Sequence, residues 1–86
     1  MKKLIYIAID DEDSEPILSS MIEQDLLKQL DIYNGLHMGN SEIIENRQII
    51  YDGEYQGNLI RVMKYKSFFK EEECINTYNI WCIEIN

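Results

Sequence analysis

Carboxylates are the side chains of this sequence whose type and spacing could do chemistry, and they form two clusters. The first acidic cluster follows an apolar run and consists of Asp10, Asp11, Glu12, Asp13 and Glu15. The second acidic cluster consists of Glu71, Glu72 and Glu73. Clustered carboxylates bind hard cations such as Mg²⁺ and Ca²⁺, and they also attract the Lys and Arg side chains of a partner protein.

A calcium-binding EF-hand loop does not fit the first acidic cluster. Counted from Asp11, the sixth position is Pro16, where the loop needs Gly, and the twelfth is Ile22, where it needs Glu. The acids also follow a first strand as in receiver domains, but the chain is too short for that fold. We therefore predict no metal and no cofactor. Docking to a basic partner and stabilisation of a following helix by its positive N-terminal end stay open as roles for these acids.

Three tyrosines, Tyr51, Tyr55 and Tyr65, lie on and beside a predicted hairpin that also contains Arg61. Aromatic rings with a polar tip are enriched in protein interfaces, so we predict that these tyrosines contact a partner. Packing across the strands of a sheet is the alternative. The second acidic cluster is either a solvated surface or the second half of a docking surface, depending on whether the fold brings it close to the first.

The sequence contains no recognisable catalytic motif. His37 is the only histidine, so neither a Ser–His–Asp nor a Cys–His arrangement can be argued. The four glycines match neither a phosphate-binding loop nor a dinucleotide fingerprint. Cys74 and Cys82 do not have the CxxC spacing of metal and redox sites. We therefore predict that the protein is not an enzyme and that no residue is catalytic.

The charge balance restricts the class of partner. Eight Lys and Arg residues stand against 16 Asp and Glu residues, which gives a net charge of −8. Nucleic acids and anionic membranes repel such a surface, whereas a basic protein associates with it rapidly. The apolar run after Lys2 and Lys3 is too short for a signal peptide. We expect a cytoplasmic protein with reduced thiols.

Residues 1–86 are expected to form a single domain, because the chain is too short for two cores. Residues 2–9 are apolar on both faces, which predicts a central strand buried on two sides. Ser14 and Pro16 fit an N-cap and a first helical turn, so a helix is predicted over about residues 15–30. Residues 31–47 are predicted to be a long connection.

The second half of the chain is predicted to be rich in strands. Residues 41–44 form either one helical turn or a short edge strand. Residues 48–51 and 59–66 flank a turn signal and predict a hairpin, while residues 67–74 form a short helix or a loop. Residues 78–85 alternate as a buried strand does.

These elements predict an α+β fold with a four-stranded antiparallel or mixed sheet, in the order β-α-β-β-β. One main helix packs on one face of the sheet. The opposite face would be unusually apolar for a monomer, so we expect a homodimer or another protein to cover it.

In length, acidity and Ile-, Asn-, Lys- and Glu-rich composition, the chain resembles small acidic inhibitor proteins of phages and mobile elements, the anti-CRISPR and other anti-defence proteins. The resemblance implies an inhibitor that blocks a basic site of a nuclease or another nucleic-acid-binding protein. Lys64, Lys66 and Lys70 interrupt the acids, which favours such docking over mimicry of a whole duplex. The alternatives are an oligomer that sequesters a small molecule or nucleotide, an immunity protein or antitoxin, and, least favoured, a metal-dependent enzyme.

Overall fold

The computed structural model describes residues 3–39, 41–46, 50–52, 57–69 and 72–85. Six strands and one helix follow one another as β1 (Lys3–Asp10), β2 (Pro16–Ser20), α1 (Glu23–Met38), β3 (Ser41–Asn46), β4 (Ile50–Asp52), β5 (Gly57–Phe69) and β6 (Glu72–Ile85). The α+β class is therefore as predicted. No helix among the described residues is long and apolar enough to cross a membrane.

The strands form one antiparallel sheet in the order β2-β1-β6-β5-β3, and β4 pairs with β5 alongside β3. Its backbone is the long β5–β6 hairpin, which is paired from Gly57 and Ile83 to Phe69 and Glu72. The 13 residues of β5, at about 3.3 Å each, span about 43 Å, and the molecule measures 49 × 22 × 20 Å. The hairpin therefore sets the length of the protein.

The predicted first helix is wrong in position. Residues 16–20 form β2, an edge strand of the sheet, and the helix begins at Glu23 rather than near residue 15. Ser14 is a turn residue with φ of 57° instead of an N-cap. Pro16 is tolerated because it is the first residue of an edge strand, where a missing N–H breaks no essential ladder bond.

The helix extends through much of the predicted long connection. It ends at Met38, and Gly39 adopts φ of 73° while its N–H donates to the Gly35 carbonyl. A glycine in a positive-φ conformation directly after a helix is a common termination. The predicted connection is thus wrong over residues 31–38, and residues 41–44 belong to the edge strand β3.

The predicted strand order is also corrected. Among the described residues the sheet has six strands rather than four, because β2 and β3 are additional strands. Residues 67–69 and 72–74, predicted as part of a short helix or a loop, belong to the paired strands β5 and β6. The hairpin predicted around Asp52 is confirmed by the pairing of β4 with β5, in which Asp52 lies opposite Gly57.

Helix α1 packs on one face of the sheet. Leu26 and Leu30 are fully buried against side chains from three strands, and the buried cluster also contains Ala8, Met63, Tyr65, Tyr78 and Ile80. Because strand side chains alternate, Ile5, Ile7 and Ile9 of β1 lie on the opposite face, as does Trp81, which pairs with Ile7. β1 is thus central in the sheet, but within the described part of the chain the helix covers only one of its faces.

Candidate functional site at the acidic end of the sheet

The first acidic cluster forms the turn that connects β1 to β2. The turn is closed by two backbone hydrogen bonds: the Asp10 N–H donates to the Glu15 carbonyl at 3.0 Å, and the Ser14 N–H donates to the Asp10 carbonyl at 2.9 Å. The five acids are therefore held on a tight hairpin turn rather than in front of a helix. Stabilisation by a helix N-terminus, one of the two predicted roles, does not apply here.

Two of these carboxylates stabilise the turn. Oδ1 of Asp10 accepts a hydrogen bond from the Glu12 N–H at 2.9 Å, and Oδ1 of Asp13 accepts one from the Glu15 N–H at 3.2 Å. Asp side chains commonly bond to a backbone N–H two residues further along the chain, which favours turn conformations. Asp10 and Asp13 thus have a structural role in which their negative charge is not neutralised.

The turn is anchored to β6 through Asp11. Its N–H donates to the Thr77 carbonyl at 3.0 Å, and its Oδ1 accepts a hydrogen bond from Nδ2 of Asn79 at 2.9 Å. Glu12, Asp13 and Glu15 are exposed. The anchored Asp11 therefore fixes the direction in which the remaining acids extend into solvent.

A cleft of about 380 Å³ separates the acidic turn from the outer part of β6. Its lining residues are Asp10, Asp11, Glu12, Ile75, Asn76 and Thr77. Carboxylates line one side, and a β-strand with an exposed isoleucine lines the other. This combination can receive a chain that carries positive charge and some apolar surface.

Two residues of the second acidic cluster, Glu72 and Glu73, begin β6, just before the strand residues that line the cleft. Glu72 is exposed, and the half-exposed Glu73 carboxylate lies 3.1 Å from the Lys66 Nζ. Glu71 lies outside the described residues. Four residues of strand, about 13 Å, separate Glu73 from Thr77, where the first cluster is anchored. The fold therefore brings Glu72, Glu73 and the first acidic cluster towards the same end of β6.

The structure does not place the tyrosines predicted to contact a partner at this acidic end of the sheet. Tyr65 is only 1% exposed, its hydroxyl donates to Oδ1 of Asp31, and its ring packs edge-on against Tyr78 with centroids 5.6 Å apart. The expectation that the Tyr65 ring faces a partner is thus wrong, because α1 covers it. Tyr51 lies in β4 opposite Asn58, and Tyr55 lies outside the described residues.

A buried polar group beneath α1 was not predicted. Asn34 is fully buried, and its Oδ1 accepts hydrogen bonds from the Tyr78 hydroxyl at 3.0 Å and from Nδ2 of Asn76 at 3.3 Å. Asn34 lies in the segment predicted as a connection, so its sequence context indicated exposure. Its burial could have been predicted only if the helix had been predicted to continue past residue 30.

The acidic turn also affects Tyr78, the hydrogen-bond partner of the buried Asn34. Burial raises the pKa of Tyr78 to about 12, and the nearby negative charge of Asp10 and the neighbouring Tyr33 add to the shift. Asp10 ends β1 directly opposite Tyr78 in the sheet register. The acidic end and the core beneath the helix therefore meet at this pair of residues.

The other candidate chemical groups are not brought together. Among the described residues, no three His, Cys, Asp or Glu side chains are arranged to hold a metal ion. Cys74 and Cys82 are both free thiols, and burial raises the pKa of Cys82, so that thiol stays protonated at neutral pH.

Comparison with known proteins gives no match: no family model fits the chain, and no curated protein or solved structure is significantly similar to it. What can be inferred about function therefore comes from the acidic end. There, hydrogen bonds position the carboxylates of Asp10, Asp11 and Asp13, and the exposed Glu12 and Glu15 lie on the same turn.

Proposed function

We propose that the protein is a small acidic inhibitor that docks on a basic site of a partner protein and blocks it. The partner is a nuclease or another protein that handles nucleic acid, so the activity is of the anti-defence, anti-CRISPR-like type. The observation that carries this proposal is that the first acidic cluster is anchored to β6 at Thr77, a few residues along the same strand from Glu72 and Glu73. Clusters on opposite ends would have argued against a shared docking surface.

The electrostatics support docking over catalysis. Glu12, Asp13, Glu15 and Glu72 are exposed, so their charges remain available to an approaching cation. Concentrated charge of one sign accelerates encounter with the opposite sign, and salt weakens that acceleration. A basic groove that normally holds phosphates is the kind of surface that such a pattern would occupy.

Affinity capture tests this proposal. Immobilised protein is exposed to lysate of the source organism and eluted in salt steps, and the eluate is identified by mass spectrometry. We expect one stoichiometric basic protein to elute between low and moderate salt and to lose its nucleic-acid-handling activity when the purified inhibitor is added back. A retained small molecule or metal with no protein would overturn the proposal.

A charge-matched pair of variants then tests the surface. Glu12→Gln/Glu15→Gln removes two charges from the first acidic cluster, and Asp25→Asn/Glu84→Gln removes two exposed charges outside both clusters, one in the first turn of α1 and one near the other end of β6. We expect the first variant to bind the captured partner at least about tenfold more weakly at low salt, which corresponds to 1.4 kcal/mol. The second variant should bind nearly as well as the wild type. Equal losses would show that only net charge matters.

A second candidate function is an oligomer that sequesters a small molecule or a nucleotide between subunits. The apolar sheet face opposite α1 favours it, since Ile5, Ile7, Trp81 and Ile83 pair there across β1 and β6. Burial of such a face is a common basis for self-association. Sedimentation equilibrium checks this candidate, and a monomer at all concentrations would remove it.

A further inference from the structure

Strand β6 is longer than its neighbour β1. The pairing of the two strands ends where Asp10 lies opposite Tyr78, and β6 continues outward for six more residues, Glu72–Thr77. On its other side β6 stays paired with β5 as far as Glu72. Within the described part of the chain, no strand pairs with the β1 side of Glu72–Asn76. We call this stretch the open edge.

The direction of the backbone groups along the open edge follows from one hydrogen bond. The Thr77 carbonyl accepts from the Asp11 N–H, so the backbone groups of Thr77 point to the β1 side of the strand. Strand geometry repeats every two residues, so the N–H and C=O groups of Ile75 and Glu73 point to the same side. They supply two donors and two acceptors in the pattern that an antiparallel partner strand requires.

We infer that the open edge accepts an extended basic segment of the partner protein as an added β-strand, continuing the line of β1. This inference rests on the proposed function, because it takes the partner to be basic. Main-chain hydrogen bonds to Glu73 and Ile75 provide contacts that do not depend on sequence, while the cleft beside them admits alternate side chains. Ile75, 54% exposed, offers an apolar contact within the cleft.

The charge around the open edge determines which kind of added strand can pair with it. The open edge has the acidic turn at one end and the exposed Glu72 at the other, where Glu73 is already paired with Lys66. Lys or Arg side chains of an added strand would therefore lie within reach of carboxylates of the turn and of Glu72. A second copy of this chain, paired edge to edge, would instead place its own acids against them. Like charges across paired strands are destabilising, so the occupant is a basic segment rather than a second protomer.

The inference is tested with a fluorescent octapeptide of alternating Lys and Val, an extended basic probe, by anisotropy in low salt. Two derivatives have the same charge as this peptide. The one-edge derivative carries N-methyl groups on alternate amides, which blocks one edge of the extended peptide. The two-edge derivative carries N-methyl groups on the amides of both edges. We expect the one-edge derivative to bind through its free edge and the two-edge derivative to bind at least tenfold more weakly. In NMR spectra, the amides of Glu73 and Ile75 should shift on binding and exchange more slowly.

Variants of the protein give the matching control. The Ile75 N–H points away from β5, so Ile75→Pro removes an edge donor without removing a β5–β6 ladder bond, whereas Ile75→Val keeps the donor. We expect at least tenfold weaker probe binding for Ile75→Pro and little change for Ile75→Val, with folding checked by circular dichroism. If Ile75→Pro does not fold, the two-edge derivative still decides the question with wild-type protein.

The outcomes separate the two proposals. Equal binding of all three peptides, still weakened by Glu12→Gln/Glu15→Gln, would overturn strand addition and leave acidic docking intact. Binding that neither salt nor those substitutions weaken would count against acidic docking itself. No binding of any peptide at low salt would also overturn strand addition, because main-chain pairing and charge attraction require no particular sequence.

Discussion

The middle and the outer end of β6 contrast within a single strand. In the middle, Tyr78 and Ile80 are buried beneath α1, and β1 and β5 pair on both sides. At the outer end, Glu72, Glu73 and Ile75 are exposed, and in the part of the chain that the structure describes only β5 pairs with the strand. The same secondary structure thus provides stability where it is covered and a surface for interaction where it is not. The boundary between the two regions is the Asp10–Tyr78 pair.

The largest difference between the regions should appear when a covered leucine is truncated. Leu30 is fully buried, so Leu30→Ala should lower the free energy of unfolding by about 2–5 kcal/mol through lost burial and a cavity. The matched control is Leu36→Ala on the same helix, since Leu36 is 82% exposed and should change stability by no more than about 0.5 kcal/mol. Urea unfolding measures both, and similar values would contradict the assignment of the covered face.

Loss of the buried amide should have the next largest effect. Asn34→Ala removes the acceptor of the Tyr78 hydroxyl and should destabilise the fold by about 1–3 kcal/mol, the cost of an unsatisfied buried group. The double variant Asn34→Ala/Tyr78→Phe should lose less than the sum of the two single variants, because it leaves no orphaned hydroxyl. Thermal unfolding of all three proteins checks this, and simple additivity would count against the hydrogen bond.

The pH dependence of the free energy of unfolding should reflect Tyr78, which lies at the boundary between the two regions of β6. The pKa of Tyr78 is raised to about 12 in the folded protein, against an ordinary value of 10.0, so the unfolded chain loses this proton first. The corresponding contribution to stability is full below pH 10 and is lost as the pH rises from 10 through 12. We expect Tyr78→Phe, itself less stable by about 0.5–1.5 kcal/mol, to show a smaller decline over this range.

Unfolding at a series of pH values measures this difference. Asp10→Asn removes the nearby negative charge that adds to the shift, so it should bring the pKa of Tyr78 closer to 10. Ultraviolet titration of the phenol absorbance would show that change, and an unaltered titration in Asp10→Asn would contradict the link between the acidic turn and the core.

The smallest effects are expected in the turn itself. Asp10→Ala loses the side-chain oxygen that accepts from the Glu12 N–H and should cost about 0.5–1.5 kcal/mol. Asp10→Asn keeps an oxygen in that position and should cost less than about 0.5 kcal/mol, and the same contrast should hold at Asp13. Differential scanning calorimetry resolves the pairs. An equal loss for Asn and Ala would mean that the charge, rather than the hydrogen bond, stabilises the turn.

Local patterns in the sequence predicted some elements well and others badly, for a physical reason. Residues 2–9 and 78–85 are apolar at consecutive positions, and only a strand in the middle of a sheet accommodates that pattern in so short a run. Ile17, Leu18 and Ile22 fit the period of a helix or of a strand, so their state depends on what they pack against. Pairing with β1 decides in favour of a strand for residues 16–20.

The candidate site was predicted in its chemistry but not in its arrangement. The acids of both clusters were visible as carboxylates, but the hydrogen bonds by which Asp10 and Asp13 stabilise a turn were not predicted, because a helix was expected to follow them. The burial of Tyr65 and Asn34 could not be read from the sequence, because each is covered by contacts between residues more than 30 positions apart. Such contacts depend on where α1 crosses the sheet.

By itself, the sequence determined the α+β class, the central strand, the β4–β5 hairpin and the strong negative charge, since these depend on composition and on neighbouring residues. Tertiary structure decided which acids lie together. Glu72 and Asp11 are far apart in the chain, and they share one end of the molecule only because β6 extends past β1 and holds the acidic turn through Thr77. Sheet register is a property of long-range pairing, so no local pattern specifies the open edge.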